Sequence, residues 1–397
     1  MAARASRWAI SLSVSFGIPV GLYVTLIFLG AFPFFQRHFL YAHRVHTLFY
    51  HNIDQPEYWG FARNQVTPFS LNTSDGETLY AWHILPLPTY LKHENTLQTQ
   101  QPGFSSDITR TESFKLLKGD PEARLVIYFH GNAGHIAQRI RPSSYHTLTD
   151  SSHYHVLAID YRGFGKSTGT PSEDGLIHDG IAAVDWAMDL AGVPSSRIVI
   201  LGHSLGTAVA SGIVEHYAIQ GVEFAGIVLV AGFSNLQTLV SSYAAAGFIP
   251  VLSPIRAFPP ILRFFQSFII DKWKSADRLS HLVSLTRTRL RLTLVHAKND
   301  LDIPWHESDV LFKYSSIAAA GEEFDNDDDD SFLLWKEQRT SRRGDGSFVA
   351  IAEMKPDTII RQEVLPYGGH NDVMMSSAIS LAVMRSFGLD TTSLPRT

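Results

Sequence analysis

Arg197-Ile198-Val199-Ile200-Leu201-Gly202-His203-Ser204-Leu205-Gly206-Thr207-Ala208-Val209-Ala210-Ser211-Gly212 is the stretch whose reading decides the fold. Its first half is short, apolar and β-branched, the pattern of a buried strand. Its second half is built of small residues, as a helix packed tightly against a sheet requires. Between them stands Gly202-x-Ser204-x-Gly206. When a strand passes into a helix through G-x-S-x-G, the sharp turn raises the serine hydroxyl above the carboxyl edge of the sheet. The glycines let backbone approach backbone where a Cβ would clash. The same turn sets the Leu205 N–H beside the hydroxyl, as one donor for a developing oxyanion.

A serine hydroxyl is a poor nucleophile without a base, and the base needs an acid behind it. Around a turn of this kind the partners follow in the order Ser, Asp or Glu, His. Leu292-Thr293-Leu294-Val295-His296 reads as a late strand, and Ala297-Lys298-Asn299-Asp300-Leu301-Asp302-Ile303-Pro304 as its loop. Asp300 is the expected acid, with Asp302 the alternative. The strand before it, Gly226 to Val230, ends in Ala231-Gly232-Phe233-Ser234-Asn235, which has no carboxylate. Gln362-Glu363-Val364-Leu365-Pro366 reads as the last strand, and the loop after it, Tyr367-Gly368-Gly369-His370-Asn371-Asp372, holds the last histidine of the chain, His370, the expected base. The second oxyanion donor is expected from Asn132, in the turn His130-Gly131-Asn132-Ala133-Gly134 that ends the apolar strand Leu125–Phe129. Each piece has an ordinary reading, since a loop histidine among 18 is usually just solvated. Their order along the chain is what favours catalysis.

Outward from this centre, strands alternate with helices. After Leu125–Phe129 come a helical stretch around Ala137–Leu148, a strand His155–Ile159, a Gly-rich loop Asp160–Ser167 and an amphipathic stretch Leu176–Leu190. The alternation predicts an α/β fold with a mostly parallel sheet and helices on both faces. Gln65–Leu85 reads as an opening hairpin around Ser74-Asp75-Gly76, and Pro86–Gly119 as a polar, partly disordered loop insertion. Residues 236–285 are rich in Phe, Ile, Leu and Pro and predict an apolar cap over the nucleophile. Residues 321–346, with Asp325-Asn326-Asp327-Asp328-Asp329-Asp330, predict a disordered acidic loop; they lack the spacing of a calcium-binding helix-loop-helix. The expected organisation is an anchor over 1–36, a connector over 37–64 and a catalytic domain over 65–397.

Among 397 residues, 45% are hydrophobic, enough for a large core. A net charge of −5 argues against nucleic-acid binding by bulk electrostatics. The absence of cysteine excludes disulfides, thiolate catalysis and cysteine-held zinc. The Gly-rich loop lacks phosphate-loop spacing, and no zinc-like pattern occurs, so neither a cofactor nor a metal is expected. Trp8 to Phe35 carries no charged side chain. About 20 apolar residues span a bilayer, so this segment predicts an N-terminal transmembrane helix. Arg4, Arg7 and the terminal amine before it slightly outweigh Arg37 and Arg44 after it, which favours a cytosolic N-terminus and a lumenal catalytic domain. The sequon Asn72-Thr73-Ser74 agrees with that side.

His130-Gly131-Asn132-Ala133-Gly134, Asp160-Tyr161-Arg162-Gly163-Phe164-Gly165 through Gly169-Thr170-Pro171-Ser172-Glu173, Gly202-His203-Ser204-Leu205-Gly206-Thr207 and His296 through Asp300 together resemble the alpha/beta-hydrolase domain-containing serine hydrolases. The anchor and the Ser315–Ala319 helix end look most like that family's membrane lipase branch. The resemblance covers about Asn72 to Phe387. It implies the α/β-hydrolase fold, an integral endoplasmic-reticulum enzyme, and Ser204, Asp300 and His370 as nucleophile, acid and base. The implied substrate is a lipid, a lysophosphatidylserine or a monoacylglycerol. A thioesterase or peptidase on the same triad, and a silent scaffold with this fold, are the alternatives. Oligomeric state is left open.

Overall fold

In a computed structural model, residues 17–45, 51–150, 152–241, 244–245, 249–250, 252–321, 329–354 and 357–388 are described. The strands are β1 (Val66–Asn72), β2 (Thr78–Ile84), β3 (Arg124–Phe129), β4 (Tyr154–Ile159), β5 (Ile198–His203), β6 (Gly226–Val230), the short pair β7 (Ala244–Ala245) and β8 (Ile249–Pro250), then β9 (Leu290–Ala297), β10 (Thr340–Arg342), β11 (Phe348–Met354) and β12 (Thr358–Leu365). Apart from β7 and β8 they form one sheet in the order β1-β2-β4-β3-β5-β6-β9-β12-β11-β10. The six strands from β4 to β12 run parallel. The hairpin β1-β2 joins antiparallel at one end, and β11 and β10 join antiparallel at the other.

The central strands are near-continuous apolar runs because both faces are covered. Alternate residues of β3 serve the two faces. Leu125, Ile127 and Phe129 join one core with Val209, Ile213, Leu279 and Phe312. Val126 and Tyr128 join the other with Tyr145, Ile379 and Val383. The first face is thus covered by α6 (Glu173–Asp185), α7 (Leu205–Ile219), α10 (Ser275–Leu285) and α11 (Glu307–Ala320), and the second by α5 (Arg141–Thr149) and α13 (Ser377–Ser386). Ser172 caps α6 by accepting the Gly175 N–H at 3.2 Å.

Four expectations change. Pro86–Gly119 is helical rather than a loop: α3 (Leu87–Gln98) and α4 (Glu112–Gly119) form there. Proline stands in the first turn of α3, and Thr111 caps α4. Leu85, Tyr90 and Leu97 then supply a small core of their own. The apolar excursion is shorter than 236–285. It comprises α8 (Leu236–Leu239), β7, β8 and α9 (Pro259–Ser267), whereas α10 buries Ala276, Leu279, Leu282 and Val283 in the main core. The described part of the acidic segment is structured too. Asp325 to Asp328 lie outside the described residues, but Asp329 opens α12 (Asp329–Gln338), where Phe332 and Trp335 pack with Phe312, and β10 follows.

The N-terminal apolar segment also differs. Trp8 to Phe16 lie outside the described residues; beyond them α1 (Gly17–Gly30) and α2 (Pro33–Tyr41) meet at 104°. Pro33 explains the break: it holds Phe32 extended (φ −94°, ψ 135°) and cannot donate a hydrogen bond backwards. No single helix among the described residues is long and apolar enough to cross a membrane, although the bent pair passes that test together.

Candidate active site

Ser204 sits between β5 and α7 with φ 53° and ψ −121°, a region that non-glycine residues rarely enter. Its N–H donates to the Val230 carbonyl at 2.9 Å, and its carbonyl accepts the Thr207 hydroxyl at 2.7 Å. The two flanking glycines are sterically required. A Cβ on Gly202 would lie 2.5 Å from the Gly206 carbonyl oxygen, and one on Gly206 would lie 2.0 Å from that of Phe129.

The structure brings Ser204, His370 and Asp300 into one chain of hydrogen bonds. His370 Nε2 is 2.9 Å from Ser204 Oγ, and His370 Nδ1 is 2.8 Å from Asp300 Oδ2. The other carboxylate oxygen of Asp300 accepts the Asp302 and Ile303 N–H groups, each at 2.9 Å. Asp302, the alternative acid, therefore supports Asp300 through its main chain. Burial alone would push the Asp300 carboxyl up. Hydrogen bonds from His296 and His370 overcome it and hold the group well below the usual carboxylate range. With Asp300 ionised, His370 Nδ1 carries the proton and Nε2 is left to accept from the serine.

Three supporting residues escaped the sequence reading. His203 Nε2 donates to the His370 carbonyl at 2.8 Å and so fixes the loop that carries the imidazole. Burial, reinforced by the neighbouring His370, pushes its pKa down to about 3, so it stays neutral. His296, fully buried, places Nε2 3.1 Å from Asp300 Oδ2. Arg141 is buried at the start of α5, and its Nη2 donates to the Gly131, Asn132 and Ala133 carbonyls, each at 2.9 Å. An arginine in a helix's first turn opposes the helix dipole; that was the one available signal. In a trans peptide the N–H points opposite to the C=O. Turning the Gly131 carbonyl onto Arg141 thus turns the Asn132 N–H the other way. Neither the Asn132 nor the Leu205 N–H has a hydrogen-bond partner among the described residues.

Ser204, His370, Asn132 and Leu205 all line one cavity of about 660 Å³. Its walls are mostly apolar: Leu26 and Ile27 of α1, Phe39 and Leu40 of α2, Leu236, Leu239 and Leu252, then Phe265 and Ile269 at α9. Among the described residues, no cluster of His, Asp and Glu is arranged to hold a metal ion.

Comparison with known proteins gives this geometry a family. Residues 125–381 match the model of the alpha/beta hydrolase family. The chain belongs to the alpha/beta hydrolase family. Its relatives include the lysophosphatidylserine lipase ABHD12 of Mus musculus, 26% identical over 309 residues that cover 77% of this chain and 69% of the relative. Protein ABHD12B of Homo sapiens is 31% identical over 211 residues, 52% of this chain and 53% of that protein. Among solved structures, an alpha-beta hydrolase from Vibrio vulnificus superposes with a TM-score of 0.53 at 13% identity, covering 88% of this chain and 91% of the other. That likeness concerns the fold alone.

Proposed function

We propose that this hydrolase is a membrane-associated serine esterase that releases fatty acid from single-chain lipids, lysophospholipids or monoacylglycerols. The observation that carries the reading is the Ser204–His370–Asp300 chain opening into a large apolar cavity. A cavity of this size and lining suits an acyl chain. The lysophosphatidylserine lipases among its relatives support the same substrate class.

In this mechanism His370 Nε2 takes the Ser204 proton as Oγ attacks the ester carbonyl carbon. Asp300 holds the imidazole tautomer and stabilises its positive charge. The Asn132 and Leu205 N–H groups receive the oxyanion. His370 then protonates the departing alcohol, and water, activated by the same imidazole, hydrolyses the acyl-enzyme.

The segments that line the cavity also carry exposed apolar side chains. They include Leu22 and Phe28 on α1, Phe34 on α2, and Phe258 and Phe264 at α9, all at least 57% exposed. An apolar surface of that extent suits contact with a bilayer. We assign the catalytic domain to the lumenal side of the endoplasmic reticulum, in keeping with Arg4 and Arg7 before the apolar segment and with the exposed Asn72 of the sequon.

The test is hydrolysis by the purified full-length chain in vesicles that contain lysophosphatidylserine, lysophosphatidylcholine or monoacylglycerol. Fatty acid released by the wild type and not by Ser204→Ala supports the proposal. No release from any of them, or equal release by Ser204→Ala, overturns it. Faster turnover of a short peptide or an acyl thioester would shift the substrate class on the same triad.

A further inference from the structure

The N-terminal segment reaches the catalytic machinery directly. The carbonyl of Tyr41, at the end of α2, accepts the Ala133 N–H at 2.9 Å, and the Leu40 carbonyl accepts the Asn132 side-chain amide at 3.4 Å. Ala133 holds φ 61°, a conformation that costs a non-glycine residue and persists only where its surroundings fix it. The turn carrying the Asn132 N–H is therefore clamped from two sides. Arg141 gathers its carbonyls, and Tyr41 takes the N–H next along the chain.

Tyr41 is itself pinned. Its ring is fully buried, and its hydroxyl donates to Asp271 Oδ2 at 2.7 Å. Gln36, one turn earlier, clips α2 to the chain after α9. Its amide nitrogen donates to the Phe268 carbonyl at 2.7 Å, and its amide oxygen accepts the Ile270 N–H at 3.2 Å. These contacts join residues 230 or more positions apart in sequence. A segment serving only as a tether has no need of them.

We propose that α2 is a working part of the active site: Tyr41 and Gln36 are positioning residues that hold the oxyanion turn in register with Ser204. The inference rests on the serine-esterase reading. It makes the segment that contacts the bilayer the same one that sets the catalytic geometry.

The test uses full-length Tyr41→Phe and Gln36→Ala with two substrates, a soluble short-chain p-nitrophenyl ester and a long-chain monoacylglycerol in vesicles. A displaced oxyanion donor slows the chemical step whatever the acyl length, so kcat is expected to fall roughly tenfold on both substrates. KM for the soluble ester should stay unchanged. Wild-type and Ser204→Ala controls on the soluble ester test the underlying reading separately; an inactive wild type removes both claims. Given an active wild type, soluble-ester kcat within twofold of the parent in both variants overturns the inference, even if lipid turnover falls, because the helix then only gathers substrate. A thermal midpoint is recorded for each variant. If Tyr41→Phe unfolds, Gln36→Ala, at a residue only partly buried, decides the question alone.

Discussion

Asp300→Asn is the substitution for which the structure gives the sharpest expectation. The shape hardly changes. The asparagine oxygen can keep the Asp302 and Ile303 N–H groups, each now 2.9 Å from Asp300 Oδ1. Its NH₂ group then occupies the position of Oδ2, 2.8 Å from His370 Nδ1 and 3.1 Å from His296 Nε2. An N–H facing Nδ1 forces that nitrogen to accept, so the imidazole proton moves to Nε2. The nitrogen 2.9 Å from Ser204 Oγ is then a donor and cannot take the serine's proton. A wrong-tautomer histidine in a triad costs on the order of 10⁴ in kcat, or about 5.4 kcal/mol of transition-state stabilisation. Asp300→Ala differs. It enforces no tautomer but strands the two loop N–H groups, at about 1–3 kcal/mol for each buried orphan. The asparagine variant should therefore be well folded and nearly inactive, and the alanine variant less stable. The assay is steady-state hydrolysis of a soluble ester beside urea denaturation of all three proteins. If Asp300→Asn retains kcat within tenfold of wild type, the tautomer argument is refuted.

Other sites give independent expectations. Gly206→Ala puts a methyl group 2.0 Å from the Phe129 carbonyl oxygen, a backbone atom that cannot yield, so soluble expression or the thermal midpoint should collapse. Arg141→Met releases three carbonyls at the oxyanion turn; kcat should fall roughly 100-fold, as for loss of an oxyanion donor, and an unchanged kcat in a folded variant would discard the role given to Arg141. His155 is buried, and burial lowers its pKa to about 4, against about 6.5 unfolded. Its contribution is intact above about pH 6.5 and is lost as pH falls towards 4, so between pH 7 and pH 5 the parent should lose about 2 kcal/mol more stability than His155→Leu in urea titrations; parallel pH profiles would contradict this. Asn72→Gln should abolish an endoglycosidase-sensitive mobility shift of the chain made in microsomes, whereas no shift in the parent argues against a lumenal domain.

The convergence of Ser204, His370 and Asp300 was legible in sequence because each member stands in a turn whose chemistry is local. Gly202 and Gly206 announce the turn at Ser204, and Asp300 and His370 each stand in the loop that leaves the carboxyl end of a late strand. The sheet was legible for the same reason, since β3, β4, β5 and β6 read as buried strands without any knowledge of their neighbours. What stayed hidden depends on partners remote in the chain. Arg141 gains its role only when the Gly131–Ala133 turn folds back over the start of α5. Tyr41 needs Asp271, and His203 needs a carbonyl 167 residues later. Helix α12 sits beside a run of aspartates that reads as solvated, and it becomes helical through the burial of Phe332 against the core. The bend between α1 and α2 hangs on Pro33, which composition alone could not separate from a proline tolerated inside one long span.

The account turns on whether the Ser204 hydroxyl is the activated nucleophile. Peptide mapping by mass spectrometry after brief exposure to a fluorophosphonate measures this directly. The prediction is a phosphonyl adduct on Ser204 that forms in the wild type and is lost in His370→Ala. An adduct on another residue, or labelling of Ser204 that proceeds as fast without the imidazole, would contradict it.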